Sequence, residues 1–216
     1  MEIREIAGES SANQTYLHLA LNDAVSAYQQ THETISHHPP LTEETATPEL
    51  TSLHHTLELQ RATTLILASC CVEALANLYL AHKTTPEQFA VLERVNFLEK
   101  WTVVPSFLVP NYSFPRDGEL YHDLKRLRAC RNGIIHLKEE VSREGSVMHP
   151  GSYPDPGSDE HLFVARCGSL PERLLAHLAS FDKTDAVMQL AMVLETAPMM
   201  RVFRLAGERR NGPNSG

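Results

Sequence analysis

A short run in the second half of the chain combines side chains that phosphodiester chemistry uses. It extends from Arg131 through Asn132 to His136. A guanidinium is permanently charged and offers a planar fork of N–H donors to phosphate oxygens, a role in which lysine is not equivalent. An unperturbed imidazole titrates at about pH 6.5 and can act as a general acid or base. Asn132 could hydrogen-bond a phosphate or a ribose, or orient the histidine.

The spacing of these residues sets a geometric condition on that chemistry. On an ideal α-helix, residues five apart are separated by about 140° of rotation and roughly 7.5 Å of rise. Arg131 and His136 therefore cannot converge on one phosphate from a straight helix alone. Either Gly133 bends the helix, or a second copy of the chain completes the site across a twofold axis. We favour the second copy, because two histidines would supply a separate acid and base.

An apolar pattern predicts the helix that positions this run. Residues at spacings of three and four indicate one buried face, formed by Leu120, Leu124, Leu127, Ile134 and Ile135. The helix is predicted to begin near Asp117 and to end near Glu140. Its far end carries the arginine, the asparagine and the histidine.

Positive charge is concentrated around the run, although the formal net charge of the protein is -8. That net charge argues against a protein that coats nucleic acid, since such binding needs many contacts from basic residues to phosphates. Between Tyr121 and Lys138 there are five basic residues and one acid, Asp123. A local cluster of this kind suits a short single-stranded or looped substrate, and a solvated basic face is the alternative. Lys125, Arg128 and Lys138 are the candidate substrate-binding residues.

A second long helix is predicted to begin at Pro48, because Thr47 is a suitable cap and proline fits the first helical position. Between Leu65 and Leu80 it is apolar on most faces, so we expect it to be central and buried. Further helices are predicted at Tyr16–Ile35, after Thr85, at Asn96–Trp101, at Ser169–Phe181 and at Thr184–Thr196. Helices do not alternate with strands in this pattern. The predicted fold is an all-α, up-and-down helical bundle with a long central helix.

Composition divides the chain into three predicted parts. Residues 1–45 form an N-terminal helix and linker, residues 46–205 a helical domain, and residues 206–216 a disordered tail. Residues 1–14 are polar and predicted to be irregular, and Pro105–Pro115 is predicted to be a loop. Residues 142–159 are rich in Gly, Pro and Ser, which indicates a mobile loop, here predicted to cover the cleft. His161–Arg166 is predicted to be a short extended segment.

Cysteine usage and hydropathy favour a reduced, cytoplasmic protein. The chain has four cysteines, including the adjacent pair Cys70-Cys71 in a helical pattern, which is not typical of a disulfide framework. The first residues lack a secretory signal pattern, and polar residues interrupt the longest apolar run, so no membrane span is expected. The histidine pairs His37-His38 and His54-His55 lack the spacing of metal ligands, so we expect neither a metal nor a cofactor.

The pattern Arg131-Asn132-x-x-x-His136 resembles the Arg-x(4–6)-His signature of HEPN domains, in which an asparagine often follows the arginine. The resemblance covers roughly residues 50–140. It includes a long helix with an embedded acid, Glu73, then a segment at Phe97–Trp101, and leucines that precede the arginine. It implies a helical bundle that pairs into a homodimer, with the two motifs facing one another.

Many HEPN proteins are metal-independent endoribonucleases of toxin–antitoxin, abortive-infection and related defence systems. The resemblance therefore implies RNA as substrate, Arg131, Asn132 and His136 as catalytic residues, and by analogy a cognate antitoxin or nucleotidyltransferase partner. Other members are non-catalytic binding or regulatory modules, which is the main alternative, and a plain helical interaction protein is a third. Glu73 is the supporting residue, because an acid in an apolar helix needs a partner and Arg131 can supply it.

Overall fold

The computed structural model describes residues 3–144 and 159–195, with side chains for residues 13–135 and 159–195. Its helices are α1 (Ile3–Ser36), α2 (Pro48–Lys83), α3 (Pro86–Leu92), α4 (Phe97–Thr102), α5 (Pro105–Leu108), α6 (Glu119–Glu144), α7 (Asp159–Arg166), α8 (Leu170–Phe181) and α9 (185–195). A 3₁₀ turn, Cys167–Ser169, joins α7 to α8. The described ranges contain no strand, so the all-α prediction is confirmed.

The long helix α2 is the centre of the bundle, as predicted. The side chain of Thr47 accepts a hydrogen bond from the Leu50 backbone N–H at 3.2 Å, which caps the helix where its sequence indicated. Leu65, Leu75 and Leu80 are completely buried. By length and composition α2 could cross a membrane, but 61% of its apolar window is buried inside the protein. A helix in the core of a folded protein can have the same length and composition.

Helix α1 packs along α2 and belongs to the same hydrophobic core, to which it contributes Leu21, Val25 and Tyr28. It begins at Ile3, so the prediction of irregular structure in residues 1–14 was wrong. Gln14 shows why polar residues fit this helix: it is buried and donates its side-chain amide to the Cys71 carbonyl of α2 at 3.1 Å.

Two short helices replace segments that the sequence suggested were not helical. Asp159–Arg166 forms α7 instead of an extended segment. Acids occupy its first turn, where the helix dipole favours them, and Phe163 and Val164 are buried. Within the predicted loop Pro105–Pro115, one helical turn forms α5, which begins at the proline itself.

Tyr79 and Lys83 of α2 hold the connection between α8 and α9 through the buried carboxylate of Asp182. Tyr79 donates to this carboxylate at 2.7 Å, and the Lys83 amine lies 3.0 Å from it. The Thr184 backbone N–H donates to its second oxygen at 3.0 Å. Burial alone would raise the pKa of Asp182, but the hydrogen bonds outweigh it and lower the pKa to about 2.

We expect Asp182→Asn to lower the free energy of unfolding by about 2 kcal/mol at pH 7. Because the pKa of this carboxyl is lowered from 3.8 to about 2 on folding, its contribution is present above pH 3.8 and is lost as the pH falls towards 2. Urea denaturation at pH 7 and at pH 3 measures this. If the free energies of unfolding of wild type and variant differ as much at pH 3 as at pH 7, the lowered pKa of Asp182 is contradicted.

Candidate functional site

Helix α6 carries the Arg131 motif and is α-helical without interruption from Glu119 to Glu144. Leu124 and Leu127 of the predicted apolar face are completely buried. Leu120 and Ile134 pack against the core as partly buried residues. Ile135 is 54% exposed, so its assignment to the buried face was wrong. It lies about 100° around the helix from Ile134.

The first half of α6 is clamped to α8 and to the end of α7 by ion pairs. Asp123 is buried and accepts hydrogen bonds from Arg173 at 2.8 Å and Arg166 at 3.1 Å. Glu119 pairs with Arg173 at 2.9 Å. Two arginines on one buried carboxylate satisfy its charge and fix the rotation of α6.

The side chains of the predicted basic cluster have different surroundings. Lys125 is exposed and Arg128 is half-buried. Arg126 lies 4.5 Å from the centre of the Phe163 ring and donates to the Asp159 carbonyl at 3.3 Å, so it is engaged in packing against α7. The side chain of Lys138 is outside the described residues. Of the predicted substrate-binding residues, Lys125 and Arg128 thus remain available on α6.

Arg131 forms the ion pair with Glu73 that the sequence led us to expect. The guanidinium lies 3.4 Å from the carboxylate, and the two side chains are 34% and 30% exposed. Among the described residues, Glu73 is the only hydrogen-bonding or ionic partner of the Arg131 side chain. Since a guanidinium has five N–H donors, most of them remain available for another acceptor.

A second cation, the buried amine of Lys100, lies close to the Glu73 carboxylate. The side chain of Lys100 is completely buried, and its Nζ lies 3.7 Å from Glu73. The same amine donates to Asn77 at 2.6 Å and to the Glu93 carbonyl at 2.7 Å. Burial lowers the pKa of Lys100, and the charge of Glu73 opposes that shift.

Trp101 holds α4, and with it Lys100, against the central helix. Its ring is 1% exposed, and its Nε1–H donates to the Val72 carbonyl at 3.0 Å. Trp101 is therefore a core anchor, and so deeply buried a ring is not available for stacking on a base. Together α2, α4 and α6 bring the buried amine of Lys100 and the partly exposed guanidinium of Arg131 to the same carboxylate, that of Glu73.

Two further residues of the motif, Asn132 and Gly133, lie on the outer side of α6. Asn132 and Gly133 are exposed, and a Cβ added at Gly133 would meet nothing within 4 Å. Position 136 belongs to the helix, one turn after Asn132, but the His136 side chain lies outside the described residues. Most of the predicted loop 142–159 also lies outside the described residues.

Cys130, which precedes Arg131 in α6, is the thiol of this region. Burial raises the pKa of Cys130, against the opposing effect of nearby Arg126 and Arg61, so this thiol is not activated as a nucleophile. Among the described side chains, no group of three His, Cys, Asp or Glu comes together as a metal site would require.

Comparison with known proteins identifies no relative. The chain matches no family model, and searches of curated proteins and of solved structures give no significant match.

Proposed function

We propose that the protein is a HEPN-type, metal-independent endoribonuclease that acts on single-stranded or looped RNA. The observation that carries the proposal is the environment of Arg131. Its guanidinium is held by Glu73, 3.4 Å away, yet it is 34% exposed and keeps donors for a second acceptor. Lys100 also lies 3.7 Å from the same carboxylate, so Glu73 does not depend on Arg131 as its only counter-ion.

The reaction assigns one task to each residue. A base, His136 in one of its two copies, removes the proton from the ribose 2′-hydroxyl, and the 2′-oxygen attacks the adjacent phosphorus. The bond to the 5′-oxygen breaks, and an acid, the other copy of His136, protonates the leaving oxygen. Arg131 stabilises the negative charge that develops on the non-bridging oxygens. The products are a 2′,3′-cyclic phosphate and a free 5′-hydroxyl.

A homodimer is part of the proposal. Helix α6 is not interrupted at Gly133, which favours a second copy of the chain over a break in the helix as the source of a complete site. The outer side of α6 offers a surface for it, because Asn132, Gly133 and Ile135 are all exposed. Pairing there would bring two Arg131 and two His136 residues together around a twofold axis. A cytoplasmic toxin–antitoxin or phage-defence setting, with a cognate antitoxin or nucleotidyltransferase, completes the proposal.

Incubation of the purified protein with single-stranded RNA in excess EDTA tests the function. We expect cleavage with 2′,3′-cyclic phosphate ends, and an RNA duplex of the same sequence should be cut more slowly. Binding of RNA without cleavage would support the alternative of a non-catalytic HEPN-like module. Absence of both binding and cleavage would contradict the two proposals together.

Arg131→Lys is expected to lower the cleavage rate by about 10²–10³-fold, as for loss of a transition-state hydrogen-bond donor. Lysine keeps the charge and can still pair with Glu73, but it cannot offer two parallel donors to a phosphate. The matched control is Arg94→Lys, which makes the same change at an exposed arginine outside the site. Equal rates for Arg131→Lys and wild type would remove the guanidinium from the mechanism.

A further inference from the structure

Two histidine rings are stacked where α1 meets α7. The ring centres of His32 and His161 are 3.5 Å apart, with an angle of 13° between their planes. Tyr28 lies beside both, 5.5 Å from His161 and 6.2 Å from His32. Each imidazole has one buried nitrogen, Nε2 of His32 and Nδ1 of His161, without a hydrogen-bond partner among the described residues.

The charges around the stack offer no counter-ion to an added proton. Tyr28, which lies beside both rings, interacts electrostatically with Arg61 and Glu58 of α2 and with Glu160 of α7. Both carboxylates are already engaged by Arg61, Glu58 at 2.9 Å and Glu160 at 2.7 Å. Neither histidine forms an ion pair with a described carboxylate.

We propose that His32 and His161 form an acid-sensitive latch, which holds α7 against α1 while both rings are neutral and releases it when either ring is protonated. A neutral imidazole can leave its buried nitrogen unprotonated, whereas an imidazolium carries an N–H at both nitrogens. In the stack that additional N–H has no acceptor, and the positive charge lies against a second ring. Release of α7 exposes both rings to water, which removes this cost.

The direction of the pH dependence follows from the same contacts. Burial lowers the pKa of both rings, and the neighbouring His161 lowers that of His32 further. The released state therefore binds more protons than the docked state below the ordinary imidazole value of 6.5. Docking of α7 is fully stable above that pH and weakens as the pH falls.

Release of α7 would also affect α6. Phe163 of α7 packs against Arg126, and Arg166, the last residue of α7, pairs with Asp123. Both contacts support the helix that carries Arg131. The latch thus makes the support of α6 dependent on pH, whatever reaction the protein performs.

Hydrogen exchange of the full chain at pH 7.5 and pH 5.5, corrected for the intrinsic pH dependence of exchange, tests the latch. In wild type, the protection of residues 159–166 should fall by up to about tenfold per ring at pH 5.5, the limit set by the unperturbed imidazole. Protection of the buried part of α2 should not change. The double variant His32→Phe/His161→Phe keeps stacked rings without a titratable group and should lose the pH dependence in α7.

The matched control is His55→Phe, at an exposed position of α2, which should behave as wild type. Equal protection of α7 at both pH values in wild type, or the same fall in the double variant, would overturn the proposal. If the double variant does not fold, NMR titration of His32 and His161 in the wild-type protein provides the second test of the latch. Titration of both rings below pH 6.5 supports the latch, and titration at or above 6.5 excludes it.

Discussion

His136→Ala is expected to lower the rate of RNA cleavage in EDTA by about 10²–10⁴-fold, the usual contribution of general acid–base catalysis. In the proposed dimer the substitution removes both the base that activates the 2′-hydroxyl and the acid that protonates the 5′-oxygen. Binding of RNA should change much less, because Arg131, Lys125 and Arg128 remain. Single-turnover cleavage together with a binding titration separates the two effects.

The matched control for this prediction is His122→Ala, which removes an exposed histidine from the same helix. It should cleave RNA at the wild-type rate. Helical circular dichroism of both variants must equal that of wild type, so that loss of activity reports chemistry and not unfolding. Cleavage by His136→Ala at the wild-type rate would remove this histidine from the mechanism.

Glu73→Ala is expected to lower the free energy of unfolding by about 3 kcal/mol, the low end for leaving a buried charge without its counter-ion. The completely buried Lys100 would lose its carboxylate and retain only Asn77 and the Glu93 carbonyl. Arg131 would lose its only described partner, so RNA cleavage should fall as well. Urea denaturation measures the first effect, and the EDTA cleavage assay measures the second.

A double variant separates the two roles of Glu73. In Glu73→Ala/Lys100→Met no unpaired buried charge remains, so much of the lost stability should return. Cleavage should stay low, because nothing holds Arg131. Glu33→Ala, at an exposed acid on α1, is the control and should leave both measurements unchanged. If Glu73→Ala had the same free energy of unfolding as wild type, the carboxylate would not be needed to balance the charge of Lys100.

Capping residues and prolines in the sequence correctly predicted where two of the helices begin. Thr47 and Thr85 cap the helices that follow them, and both helices have proline in the first turn. The presence of an acid in a largely apolar helix was enough to predict the pair between Glu73 and Arg131. Each of these arguments depends on residues close in sequence or on a single strong electrostatic requirement.

Contacts between distant segments were not predictable in this way. The α-helical form of Asp159–Arg166 depends on Phe163 and Val164 entering a core built by other helices. The burial of the polar residue Gln14 in α1 depends on a partner in α2, the Cys71 carbonyl, 57 residues away in the sequence. The stack of His32 on His161 likewise joins helices that are far apart in the sequence, and no periodicity in the sequence indicates it.

A purified heterodimer of one wild-type chain and one His136→Ala chain tests the central proposal most directly. If two copies of His136 act as acid and base in one shared site, the heterodimer should be nearly as inactive as the doubly substituted protein. Two differently tagged chains, purified through both tags, provide the sample, and EDTA-resistant cleavage of single-stranded RNA provides the rate. Half of the wild-type rate would mean that each chain carries an independent site, and would contradict the shared one.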